Sequence, residues 1–278
     1  MDLGLENKVA LVSGGSSGLG LATAMELAAE GAHVAIGARD PERLASAERR
    51  LKDVALGRVH TTNVDVTDEA AARRWVDEVA DDFGALHIAL ISGGGPPIGE
   101  ALEFEPSDYR AASDTVLVPA IGLALAALPH LRAAGWGRLL FVASETAVAS
   151  QRKLVLSGVT RAGLVRFAES LAAAVGRDGI TVNVLAPGPT RTEMVERGAV
   201  RLAGDGNDDA VAAQLQVMGE HTAVGRICSV REFAAVATFL ASERASYVTG
   251  GVHLIDGGAA VSGLAHTYLD GGGKDTFR

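Results

Sequence analysis

The sequence predicts a doubly wound α/β domain, a parallel sheet of about seven strands with helices on both faces. Three observations predict it. Short β-branched runs alternate with longer helical stretches along the whole chain. Most of those runs are apolar throughout, as strands buried on both faces are. Glycines also stand at helix ends and at the first strand-to-helix turn. There are 34 in 278 residues, well above the usual share of roughly 7%.

The elements follow in order. Residues 9–13, 33–37, 59–64, 87–92, 138–143, 181–185 and 252–255 read as strands. Residues 18–30, 41–54, 68–83, 106–133, 156–175 and 230–242 read as helices, rich in Ala, Leu, Glu and Arg. Gly31, Gly84 and Gly135 fall just beyond helix ends, where left-handed backbone is needed. No repeat and no composition break marks a second domain. Residues 1–262 are therefore expected to form one domain. Within it, residues 191–226 look irregular, with Gly204-Asp205-Gly206-Asn207-Asp208-Asp209 in the middle, and read as a substrate lid. Residues 263–278 read as a C-terminal tail.

Composition excludes several function classes. Hydrophobic residues make up 48% and charged residues 21%, so the bulk of the chain is not disordered. The net charge of -9 and only 12 aromatics argue against a nucleic-acid partner. Cys228 is alone, so no intrachain disulfide is expected. The first residues lack a signal peptide's basic and apolar regions. The apolar run 116–131 is interrupted by Pro119, Gly122, Pro129 and His130 and reads as too short for a membrane span. A cytoplasmic protein with no membrane partner and no metal site is the expectation.

The segment Ser13-Gly14-Gly15-Ser16-Ser17-Gly18-Leu19-Gly20 leaves the first strand and opens a helix. Gly14 permits a tight turn, Gly18 lets backbone approach a pyrophosphate, and Gly20 lets helix and strand pack closely. The helix N-terminus then offers free N–H groups and a positive dipole end to phosphate. Ser16, Ser17 and Leu19 belong to the same cradle.

This Gly-x-x-x-Gly-x-Gly spacing resembles the short-chain dehydrogenase/reductase (SDR) family, a Rossmann-type fold. The resemblance runs from about residue 5 to about residue 261. Asn63-Val64-Asp65-Val66 is similar to the family's adenine-pocket strand end, so Asp65 and Val66 are expected at the cofactor. Pro187-Gly188, followed by Thr192, resembles its nicotinamide-side motif. Tyr247-Val248-Thr249-Gly250-Gly251 and Asp256-Gly257-Gly258 resemble its C-terminal signature.

The end of the second strand bears on the choice of dinucleotide. An acidic residue there would hold a free ribose and repel a 2′-phosphate. Ala38 stands in that register, and Arg39 follows. In this family the arrangement implies NADP(H) rather than NAD(H), with Arg39 on the phosphate. An exposed Arg ending a strand is the plainer alternative.

SDR enzymes pair a Ser with a Tyr-x-x-x-Lys on one helix, plus a helix Asn. Gly137-Arg138-Leu139-Leu140-Phe141-Val142-Ala143-Ser144 resembles the strand that delivers the Ser, which makes Ser144 the match. Ser157 stands thirteen residues on, in the Tyr position, and Arg161 in the Lys position. No Tyr lies between Tyr109 and Tyr247, and no Asn between Asn63 and Asn183; Val116 is near the Asn's place. Ile91-Ser92-Gly93-Gly94 replaces the usual Asn-Asn-Ala-Gly, leaving Ser92, Gly93 and Gly94 at the cofactor. Gly93-Gly94-Gly95-Pro96-Pro97 and the 156–163 segment resemble a divergent bacterial SDR group with Ser-x-x-x-Arg, although Gly158 replaces that group's Asn.

A Ser hydroxyl is a poor proton donor at neutral pH, and Arg stays protonated. Loss of a positioned general acid costs about 10²–10⁴ in rate. Ser144, Ser157 and Arg161 still make a coherent oxyanion-type set. The sequence therefore supports an NADP(H)-dependent oxidoreductase acting on a small carbonyl, enone or imine compound. Water, Glu145, Lys153 or His221 would then supply a proton, although each of these side chains also suits a plain solvated role. The alternatives are a non-redox SDR-fold nucleotide binder (sensor or scaffold) and a dehydratase or isomerase. The resemblance also implies a homotetramer or homodimer through the 106–133 and 156–175 helices.

Overall fold

The structure, a computed structural model, describes residues 1–203 and 208–262. The expected tail, 263–278, lies outside them. The chain begins β1 (Val9–Ser13), α1 (Gly18–Ala29), β2 (His33–Ala38), α2 (Pro41–Lys52), β3 (Val59–Asn63), α3 (Glu69–Phe83) and β4 (Ile88–Ile91). It continues with α4 (Pro106–Ala112), a π-helical turn (Ser113–Leu117), α5 (Val118–Ala133), β5 (Gly137–Val142), α6 (Val155–Val175) and β6 (Ile180–Pro187). It closes with β7 (Thr190–Arg191), α7 (Glu193–Ala203), α8 (Asp208–Glu220), β8 (Cys228–Ser229), α9 (Val230–Ala241), β9 (Val252–Ile255) and α10 (Ala259–Ser262).

Seven strands form one parallel sheet in the order β3-β2-β1-β4-β5-β6-β9. The strands alternate faces. Val9, Leu11, Ala89, Ile91, Leu139 and Phe141 pack with α3, α5 and α6 on one side. Ala10, Val12, Ile88, Leu90, Leu140 and Val142 pack with α1, α2 and α9 on the other. β1, β4 and β5 are buried along their whole length, whereas the edge strands β3 and β9 are partly exposed. That is why the inner strands read as unbroken apolar runs and β3 reads Val-His-Thr-Thr-Asn.

Two expectations change. Among its described residues, the region 191–226 is not irregular: it carries α7 and α8, held to the body by the β7–β8 ribbon. The apolar run 116–131 is not interrupted as the sequence suggested. Pro119 directly follows the π-helical turn, at the start of α5, and Pro129 is carried inside the helix. Helix runs from Pro106 through Ala133, long and apolar enough by length and composition to cross a membrane. Its buried residues, among them Leu123, Ala127 and Leu131, belong to the core that contacts the sheet. The π-helical turn lies where Ser113 and Thr115 direct their hydroxyls onto carbonyls of the preceding turn (Tyr109, Ala111 and Ala112), a competition that widens a helix.

Candidate active site

The strand order reverses between β1 and β4, so a crevice opens above their carboxyl ends. Ser13 fastens that point. Its hydroxyl donates to the Ser92 carbonyl at 2.8 Å and accepts from the Ser92 amide at 2.9 Å. Above it lies a cleft of about 860 Å³, within the roughly 300–1,000 Å³ of small-molecule and cofactor sites.

One wall is the glycine loop: Gly14, Ser16, Ser17, Gly18, Leu19 and Gly20. Gly14 and Gly18 have φ of +62° and +54°, which an L side chain rarely adopts. A Cβ on Gly20 would run into the Gly14 carbonyl. Gly15, unassigned by the sequence, is held by packing: its Cβ would lie 2.6 Å from Ile36. Ser17 precedes α1 without a side-chain cap, so the first-turn amides are not taken by a side chain. Bare amides, a positive helix end and an open floor at Gly18 fit a dinucleotide pyrophosphate.

At the outer end β2 delivers Arg39, whose side chain is 72% exposed and 4.0 Å from Asp65. Asp65 is already engaged: it accepts from the Thr67 amide and hydroxyl, bonds that hold its carboxyl below the usual range. Val66 lines the cleft beside it. Sequence reasoning missed Arg43. Asp40 caps α2 and thereby aims its first turn at the cleft, and Arg43 lies 2.9 Å from Glu193 at the start of α7. The signal was present in Asp40-Pro41, a helix start one turn before a basic residue.

The inner end gathers Ser92, Gly93, Gly94, Ser144, Ser157 and Arg161, as expected, with Val116 of the π-helical turn beside them. Ser157 opens the first turn of α6 and Arg161 follows one turn on, in the helix's buried stripe. Arg161 Nη1 donates to the Val142 carbonyl at 2.8 Å and Nη2 to the Gly94 carbonyl at 2.9 Å. Its Nε is buried without a partner. Desolvation alone pushes its pKa down to about 10, with no carboxylate opposing it. Thr146, a residue the sequence did not single out, sits between the two serines. Its hydroxyl is 3.1 Å from Ser157 Oγ and its amide donates to Ser144 Oγ at 3.2 Å. Among the described residues, no Tyr, Lys, His or Cys lines the cleft.

Thr192 lines the cleft, facing Gly18, but Pro187 and Gly188 do not. Gly188 instead packs behind the wall: a Cβ there would lie 2.7 Å from both Asp256 and Glu145 Oε2. Glu145 is turned away from the cleft too. It is 2% exposed, accepts from Gln151 at 2.5 Å through Oε1, and leaves Oε2 without a partner. Burial raises its pKa to about 7. Of the other proton candidates, Lys153 does not line the cleft, and neither does His221, whose ring lies 2.6 Å from the Val217 carbonyl.

A family model described as enoyl-(acyl carrier protein) reductase matches residues 14–260. The chain belongs to the short-chain dehydrogenase/reductase family. It is 30% identical over 254 residues to the Caenorhabditis elegans dehydrogenase/reductase SDR family member 4, covering 91% of this chain and 95% of the relative. It is 32% identical to a tropinone reductase homolog of Arabidopsis thaliana, over 94% of this chain and 96% of the relative. Among solved structures it is similar to L-sorbose reductase from Gluconobacter frateurii complexed with NADPH and L-sorbose. There the TM-score is 0.89 and the identity 34%, over 94% of this chain and 99% of that one. These likenesses support an SDR-type oxidoreductase with a nicotinamide cofactor.

Proposed function

We propose that this SDR protein is an NADP(H)-dependent oxidoreductase acting on a small carbonyl, enone or imine compound through a non-standard site. One observation carries the reading: the phosphate cradle, Arg39 and a hydroxyl-and-guanidinium cluster line a single cleft. The glycine loop and α1 would hold the pyrophosphate. Arg39 would hold a 2′-phosphate, and Thr192, Ser92 and Gly94 the nicotinamide half. When bound, the nicotinamide supplies or accepts a hydride. Ser144 and Ser157 orient the substrate oxygen, Thr146 fixes their hydroxyls, and Arg161 supplies positive charge in place of the family's lysine. The NADPH-bound neighbour supports the choice of dinucleotide.

The remaining parts of the reading go with it. α7 and α8 act as the lid over the substrate. The protein works in the cytoplasm as a homotetramer or homodimer. Val118, Leu125 and Val159, exposed on α5 and α6, support that assembly. Light scattering on the eluting protein tests it, and a monomer defeats it.

NADPH fluorescence titration followed by a carbonyl, enone and imine panel tests the activity. Tight binding with no oxidation across all three classes removes it. The second reading, a non-redox nucleotide binder, draws on a cleft without Tyr or Lys. The double change Ser157→Tyr plus Arg161→Lys separates the two. Activity created where none existed supports the binder, whereas loss of a native activity supports the enzyme.

A further inference from the structure

We propose that the inner end of the cleft is a binding subsite for a delocalised oxyanion, an enolate or phenolate, formed by Ser144, Ser157 and Arg161. It would thereby select conjugated carbonyls such as enones and quinones and reject cationic iminium compounds. The inference deepens the reductase reading and rests on it.

The argument begins with charge. Arg161 is 7% exposed, and among the described residues its guanidinium donates to two neutral carbonyls and meets no carboxylate. A guanidinium has five N–H donors, so those two bonds leave it under-used, and Nε is buried with none. A buried cation without a counter-charge is costly unless a ligand brings one. The acids lining the cleft are engaged elsewhere. Asp40 caps α2, Asp65 holds Thr67, and Glu193 pairs with Arg43 and Arg197. Two neutral serine hydroxyls, Ser144 and Ser157, line the same cleft as Arg161, and Thr146 bonds both of them. Hydroxyl donors around a fixed cation suit an oxygen that carries full negative charge.

The same cluster holds no group able to protonate that oxygen. An enone that has taken a hydride at its β-carbon, forming a C–H bond there, is such an anion, an enolate; a quinone that has taken the hydride at one oxygen is a phenolate at the other. Its charge is spread by resonance, so it persists until water protonates it. A simple alkoxide is far more basic and needs a donor at once. An iminium ion is a cation before reduction and neutral afterwards, so Arg161 repels the first and gains nothing from the second.

Para-nitrophenol tests the subsite by absorbance, without turnover. The protein is saturated with NADP+ and the probe is titrated with pH, free and bound. Binding is expected to lower the probe's pKa by at least about one unit, meaning the phenolate binds about tenfold tighter than the phenol. Arg161→Met should abolish the shift while circular dichroism and the thermal midpoint report an intact protein. Should that variant not fold, Ser157→Ala and Thr146→Val take its place. Each keeps the guanidinium and should reduce the shift at least about threefold in relative affinity. A cationic N-methylpyridinium of similar shape should not displace the probe. An unshifted probe pKa, a shift that survives in Arg161→Met, or displacement by the cation would overturn the inference. Failure of the reductase reading looks different: NADPH does not bind, or no panel compound is reduced.

Discussion

Arg161 donates through Nη2 to the carbonyl of Gly94 at 2.9 Å, tying α6 to the glycine loop after β4. The same guanidinium reaches the Val142 carbonyl, so one side chain joins three segments at the cleft's inner end. Two effects oppose each other when it is replaced. Leaving two carbonyls unpaired costs roughly 1–3 kcal/mol each. Removing a buried charge whose pKa has fallen from the usual guanidinium range to about 10 returns about 3 kcal/mol. Arg161→Met, which keeps the stem's volume, should therefore shift Tm by no more than about 8 °C. Arg161→Ala also loses the packing of the stem and should fall further. A differential scanning series decides it; a much larger drop for Met would mean the two hydrogen bonds outweigh the desolvation.

Gly18 and Gly20 should respond differently to alanine although they sit two residues apart. At Gly20 the new Cβ meets the Gly14 carbonyl, which is backbone and cannot swing away. Overpacking of this kind costs about 1–3 kcal/mol and displaces the phosphate loop. At Gly18 the nearest atom is Thr192 Cγ2 at 3.6 Å, so only the φ of +54° is strained. That costs roughly 1–2 kcal/mol. Both variants should lose NADPH affinity, and Gly20→Ala should unfold at the lower denaturant concentration. Equal midpoints would count against the packing argument.

Most of the fold was legible because burial on both faces writes a continuous apolar run and helix ends write glycine. Gly31, Gly84 and Gly135 all have positive φ, as their places at helix ends suggested. The helices within 191–226 were not legible. The polar sequence 204–209 runs into the first residues of α8, and its Gly and Asp residues hid both helices from the sequence reading. The π-helical turn left no sequence signal beyond Ser113 and Thr115. At the site, Ser144, Ser157 and Arg161 were marked by the resemblance to the SDR family, and the structure brings all three to one cleft. Thr146 and Arg43 were not: Arg43 reaches the cleft from a capped helix start and Thr146 acts behind it by bonding the two serines, and neither belongs to a periodic pattern. Glu145 was read as a solvated charge, but the turn after β5 buries it.

Arg39 should set the preference for NADPH over NADH. Its side chain is largely exposed and its ion pair with Asp65 is long, 4.0 Å, so little stability depends on it. A charge-assisted contact to a 2′-phosphate is worth about 1.5–3 kcal/mol. Arg39→Ala should therefore weaken NADPH about 10–100-fold and leave NADH and Tm nearly unchanged. Fluorescence titration of both dinucleotides reads this directly. Parallel loss of both would instead assign Arg39 to the adenosine common to them.

Glu145 should make the protein less stable as pH rises toward neutrality. Its carboxyl is buried between Gly188 and Asp256 with one oxygen unpartnered, and its pKa stands at about 7 against 4.5 when unfolded. Below both values the group is protonated in each state and contributes no slope. Between them the unfolded chain releases its proton while the folded chain keeps it, so the unfolded state gains. Above about pH 7 the full penalty, on the order of 3 kcal/mol, has accumulated. Glu145→Gln keeps an acceptor for Gln151 Nε2 and presents an amide donor toward Asp256 in place of the bare oxygen. The variant should match the parent near pH 5 and exceed it near pH 8 by up to about 3 kcal/mol. Urea midpoints measured across that range test it. Profiles that run parallel for the two proteins would place the pH dependence on another group.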